Sequence, residues 1–138
     1  MSASFRLLFC LCFIPVIASA DGRELFERGF TAYQTNGPDA LVNVWLLDQS
    51  KEAQTKAARD LRSSSEGLGE IIGFEVLTSI RISRRVERWF GVVYRRRGPV
   101  WVSADHYIGR EEAGFVAFKS SRQVEDILPR EMLVPPIE

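Results

Sequence analysis

Between residues 74 and 118 the chain runs through four stretches of strand-like length, at 74–82, 86–94, 100–108 and 115–118, rich in Val, Ile, Phe, Trp and Tyr. The connections at 83–85, 95–99 and 109–114 are too short for a parallel crossover, which takes roughly a dozen residues or more. The pattern therefore predicts a four-stranded antiparallel meander. In the third stretch Val100, Val102, Ala104, His106 and Ile108 are mostly apolar, while Trp101, Ser103, Asp105 and Tyr107 are mixed. Alternation along a strand puts these two sets on opposite faces, and the even set is expected to face the core.

Ahead of the sheet the apolar period lengthens. In residues 23–34, Leu25, Phe26, Gly29, Phe30 and Tyr33 recur at helical spacing and form one stripe. Asn36, Gly37, Pro38 and Asp39 then supply a helix stop and a fresh start. A second helix at 39–47 is apolar on several sides (Leu41, Val42, Val44, Trp45, Leu46, Leu47) and should be largely buried. Asp48, Gln49 and Ser50 offer N-caps for a third, long helix on which Ala53, Ala57, Leu61, Ser64 or Ser65, Leu68 and Ile72 step by three or four. Gly69 and Gly73 should end it. Beyond the sheet, Ser120 and Ser121 are placed to cap a helical turn at 122–128, stopped by Pro129, and the apolar tail 130–138 is expected to be extended and partly docked. Helices followed by an antiparallel meander make an α+β domain, with the helices on one face of a curved sheet.

The first twenty residues follow neither period. Arg6 is their one charge, residues 7–17 are an apolar run, and Ala18 and Ala20 place small side chains where a signal peptidase reads. Eleven apolar residues fall short of the ~20 that cross a bilayer as a helix. The expected organisation is a cleaved signal at 1–20, one domain at 21–129 and a tail at 130–138, with no transmembrane segment after cleavage. Cleavage also removes Cys10 and Cys12, the only cysteines of the 138-residue chain. The processed protein must fold on its hydrophobic core without a disulfide. Acidic and basic residues number 18 each, so no net field draws in nucleic acid, and none is expected as a partner.

The element order, the Gly37, Pro38, Asp39 start of the second helix, the Gly73, Phe74, Glu75, Val76 opening of the first strand and the closing Phe118 with Ile127, Leu128 and Pro129 resemble small secreted bacterial members of the NTF2-like (cystatin-like α+β roll) superfamily. The resemblance spans about residues 22–129 and implies a pocket between sheet and helices and a location in the bacterial periplasm. Ketosteroid isomerases and limonene epoxide hydrolases of similar fold use carboxylate, Tyr or His groups in that pocket. Their full catalytic sets have no residue-by-residue match here.

The candidate catalytic residues are His106, Asp105 and Tyr107, of which His106 must face away from the other two. Seven arginines fall in residues 81–97 against the single acid Glu87. Arg84, Arg85, Arg95, Arg96 and Arg97 are the anion-binding candidates, suited to phosphate, anionic glycolipid or an acidic partner. They equally suit soluble turns, paired with Glu75, Glu111 and Glu112. Trp89, Val93, Trp101 and Tyr107 are expected together on the outer sheet face, as an interface for a homodimer or as the seat of the tail at 132–137. One histidine and scattered carboxylates make no spaced metal set, and no cofactor motif occurs. The functional expectation is an exported binding or interaction module without catalysis. The alternative is a small pocket enzyme, an isomerase or hydrolase on an apolar ligand, using His106 or Asp105 with Tyr107.

Overall fold

The structure is a computed structural model and describes residues 22–109 and 114–133. The first apolar stripe forms helix α1 (Gly22–Asn36), buried along Leu25, Phe26, Gly29, Phe30 and Tyr33 as its spacing predicts. Gly37 closes α1 by donating its N–H to Tyr33 O (2.9 Å), and Pro38 opens α2 (Pro38–Trp45). Ser50 caps α3 (Lys51–Ser65), accepting from the Ala53 N–H at 3.1 Å. Four strands follow, β1 (Ile71–Arg81), β2 (Val86–Arg95), β3 (Gly98–Tyr107) and β4 (Phe115–Ser121), then a 3₁₀ turn at Val124–Asp126 and a short helix α4 (Arg130–Leu133). The sheet is an open antiparallel meander in the order β1-β2-β3-β4. The α+β expectation is met.

Several boundaries differ from the expectation: α2 stops at Trp45, β4 runs on through Ser120 and Ser121, and the turn expected at 122–128 is the 3₁₀ turn at Val124–Asp126. The third helix ends at Ser65, not near Gly69, because Glu66 swings to ψ 130° and Gly67 takes a φ of +74°, a left-handed position that glycine adopts without a Cβ penalty. Leu68 then packs on the core from a loop, and Ile71 and Ile72 join β1, with Ile72 exposed. The tail is helical rather than extended over Arg130–Leu133; residues 134–138 and the signal segment lie outside the described residues.

The core lies between the helices and one face of the sheet. Val100, Val102 and Ala104 of β3 are buried in it, so the even set faces inward as expected. Its centre is aromatic. Trp45 stacks on Phe26 at 4.6 Å between centroids, with Phe30, Phe115 and Phe118 around it at 5.2–5.4 Å. The indole Nε1 donates to Leu25 O at 3.0 Å. Close approach is possible because α1 carries glycine at this contact: a Cβ on Gly29 would lie 1.8 Å from Trp45 Nε1.

The β2–β3 register corrects the expected outer face. Each pair joins an odd to an even position, Trp89 with Ala104 and Val93 with Val100. Trp89 and Val93 therefore stand on the helix-covered face, Val93 fully buried, whereas Trp101 and Tyr107 stand half-buried on the other. The four do not form one surface. Phe90 and Val92 take their place on the outer face and are themselves buried. The C-terminal segment lies against that face, with Ile127 and Asp126 in a common hollow with Arg88, Ser103 and Asp105. Lys119 Nζ donates to Asp126 O (2.8 Å) and Ser121 Oγ to Asp126 Oδ2 (2.6 Å), tying the segment to β4. β1 is an edge strand whose pairing with β2 slips at Ile71/Gly73 and again at Val76/Thr78.

Candidate functional site

The space between α3 and the even face of β3, where the resemblance implies a pocket, is occupied by the aromatic centre. Phe26, Phe30, Trp45 and Phe115 of that centre are among the largest fully buried side chains. His106 is half-buried at the margin, its ring edge-on to Phe115 at 6.0 Å. Asp105 and Tyr107 lie on the opposite face, as strand alternation requires. Asp105 is further committed: Arg88 Nε reaches its Oδ1 at 2.7 Å and Nη2 its Oδ2 at 3.0 Å, a bidentate fork on the outer face. That fork raises the Arg88 pKa, the hydrogen bond to Asp105 being the main cause. The three catalytic candidates are not brought together.

The arginine candidates divide in the same way. Arg84 and Arg85 sit exposed at the β1–β2 turn, while Arg95, Arg96 and Arg97 sit at the far end of β2. A ten-residue strand separates the groups by roughly 30 Å, so they make no single patch. Arg96 pairs with Glu70 and Arg97 leans on Gly67 O (3.4 Å). Glu75, expected to pair with an arginine, accepts instead from Tyr94 OH at 2.8 Å. This hydrogen bond, ahead of burial, raises the Tyr94 pKa.

Arg95 is placed differently from its neighbours. It lies on the core face of β2, paired with Gly98 and Ile71, and its side chain turns in toward the end of the helical layer. Nε donates to Gly69 O (2.7 Å) and Nη1 to Tyr33 OH (2.7 Å). Tyr33 OH and Ser65 Oγ are 3.0 Å apart, and Ser65 Oγ donates to Leu61 O at 2.7 Å. Because the serine hydrogen is spent on a carbonyl, Tyr33 must donate to Ser65 and accept from Arg95. The result is a directed chain, Arg95 to Tyr33 to Ser65 to Leu61, that fixes the guanidinium in one orientation. Tyr33 is 3% and Ser65 7% exposed.

This fixed guanidinium lines a hollow of about 240 Å³ at the mouth of the helix–sheet interface, together with Tyr33, Ser65, Arg62, Ile71 and the Gly37–Pro38 link. Arg62, from α3, pairs with Asp39 on the exposed rim. Arg95 is among the sequence candidates, whereas Arg62, Tyr33 and Ser65 are not: all three lie on helices, where Tyr33 and Ser65 continue apolar stripes and pass as core positions. The available signal was a tyrosine on a buried stripe, whose hydroxyl must find a partner, and a serine continuing the inner stripe of α3.

A second hollow, of about 280 Å³ on the outer face, is lined by Arg88, Ser103, Asp105, Lys119, Asp126 and Ile127. Its charged side chains are largely paired within the protein. Among the described residues no group of three or more His, Cys, Asp or Glu side chains could hold a metal ion, and no helix is long and apolar enough to cross a membrane. No family model, curated protein or solved structure matches the chain.

Proposed function

We propose that this chain is a small exported binding module, without catalysis of its own, that acts in the bacterial periplasm. The observation carrying this reading is the filled interior. Where an NTF2-like enzyme keeps a cavity for an apolar substrate, Trp45, Phe26, Phe30 and Phe115 occupy the space between helices and sheet. The surface hollows are shallow, and two of them are arginine-lined, a setting for binding charged groups rather than for desolvating a reaction. The signal-like residues 1–20 support export, and the resemblance to secreted NTF2-like proteins supports the periplasm. The pocket enzyme with a small apolar ligand is disfavoured because His106 stands at the margin of a filled interior, edge-on to Phe115, and both Asp105 oxygens are held by Arg88. The homodimer through the outer sheet face keeps Trp101 and Tyr107 of its four anchors.

The test has two arms. Produced from its full sequence in a bacterium, the protein is expected in the periplasmic fraction with Asp21 at its N-terminus by mass spectrometry; a membrane-retained product still carrying residues 1–20 would overturn export. Titrated with an apolar fluorescent probe and a steroid, the purified protein is expected to take up neither. Saturable one-to-one uptake would return the pocket enzyme to first place.

A further inference from the structure

We propose that the mouth formed by Arg95, Arg62, Tyr33 and Ser65 is an oxyanion site, which takes the phosphate or carboxylate head of a small ligand. The proposal rests on the binding-module reading and supplies its ligand class.

The arginines of this protein are neutralised in different ways. Arg23, Arg62, Arg88 and Arg96 each pair with a carboxylate, of Glu27, Asp39, Asp105 and Glu70 in turn. Arg95 is half-buried and firmly held, yet its partners among the described residues are a carbonyl, a hydroxyl and the face of the Tyr33 ring at 5.9 Å, all uncharged. Arg97 and Arg122 are also held by carbonyls, but both are exposed, where water screens the charge. A guanidinium taken partly out of water without a counter-charge is costly unless an anion completes it.

Geometry then says where the anion goes. Of the five N–H groups of a guanidinium, Arg95 spends one on Gly69 O and one on Tyr33 OH, leaving three. The chain through Tyr33 and Ser65 ends on Leu61 O, so both hydroxyl hydrogens are committed and these residues position Arg95 rather than bind the ligand. The hollow that the guanidinium lines is also lined by a second cation, Arg62, whose rim pairing with Asp39 is solvent-exposed and weak enough to exchange for a ligand. Two arginines lining one hollow of about 240 Å³ suit a forked oxyanion, and Ile71 and Pro38 offer an apolar wall for a short stem. The start of α2 at Pro38 adds the positive end of a helix dipole on the same side.

The experiment is calorimetric titration of the purified protein at low ionic strength with inorganic phosphate and, separately, with acetate. One-to-one binding is expected for at least one anion, and the tighter of the two identifies the head group. Arg62→Ala, an exposed helix position, and Arg95→Lys, which keeps the charge but not the fork, should each weaken binding by about 10-fold, the scale of one charge-assisted hydrogen bond. Arg84→Ala with Arg85→Ala, at the far end of β2, should leave it unchanged. Binding should also weaken as salt is added. Absence of binding for both anions overturns the site. So does an Arg62→Ala or Arg95→Lys protein that keeps its native circular dichroism and binds as before, or an equal loss on changing Arg84 and Arg85. Uptake of apolar probes would instead refute the broader reading, so the two failures are distinguishable.

Discussion

Replacing Gly29 by alanine sets two physical effects of opposite sign against each other. In the middle of α1, alanine should be favoured over glycine by about 1 kcal/mol in backbone propensity. The structure opposes this. The new methyl would lie 1.8 Å from Trp45 Nε1, 2.3 Å from Cδ1 and 2.5 Å from Cε2, where carbon contacts are comfortable only near ~3.5–4.0 Å. The indole has nowhere to retreat: Phe26 stacks on one side, Phe115 and Phe118 press on others, and Nε1 is held by Leu25 O. Overpacking costs about 1–3 kcal/mol and a broken buried hydrogen bond about the same again, so after the propensity gain a net loss of about 3 kcal/mol is expected. The assay is urea unfolding followed by tryptophan fluorescence and circular dichroism. At roughly 4 °C per kcal/mol the melting temperature should fall by about 12 °C. Gly73→Ala, where an added Cβ meets nothing within 4 Å, serves as the control and should be close to neutral. A Gly29→Ala protein as stable as the original would refute the wedge between α1 and Trp45, and with it the account of why the interior is closed.

Ser50→Ala removes the α3 cap and should cost about 1 kcal/mol in urea unfolding, with Ser50→Asp recovering most of it. Asp105→Asn should cost about 1 kcal/mol, discounted because Arg88 is 41% exposed, and a double-mutant cycle with Arg88→Gln should show the two changes to be less than additive. Tyr94 should form its phenolate above the ordinary tyrosine range because Glu75 accepts from the neutral hydroxyl, and Glu75→Gln should lower that titration when followed by ultraviolet absorbance. Since the folded pKa is the raised one, the stability from this hydrogen bond is present below the unfolded tyrosine pKa and lost as the pH climbs through the folded value.

The sheet was legible because four apolar runs with short links admit hardly any other arrangement, and α1 because its stripe is unbroken. The end of α3 was not legible from periodicity: Leu68 and Ile72 continue the helical spacing by coincidence, and the decisive fact is the left-handed turn at Gly67. The outer face was misjudged because residue parity holds only within a strand. The β2–β3 turn sets a register that joins odd to even, which moved Trp89 and Val93 inward and brought Phe90 and Val92 out. The site was half legible. An arginine cluster marks Arg95, but only tertiary structure shows that a tyrosine 62 positions away holds it in place.

The two slips in β1 bear on how the molecule behaves in a crowded compartment. An eleven-residue edge strand carrying Ile72 and Leu77 exposed would ordinarily invite another chain to add itself to the sheet. Here the regular ladder survives only as two runs, Gly73–Val76 and Thr78–Arg81, with a dislocation between them. An incoming strand that matched one run would fall out of step with the other, so fibre-like growth from this edge stalls after about one turn of the pleat.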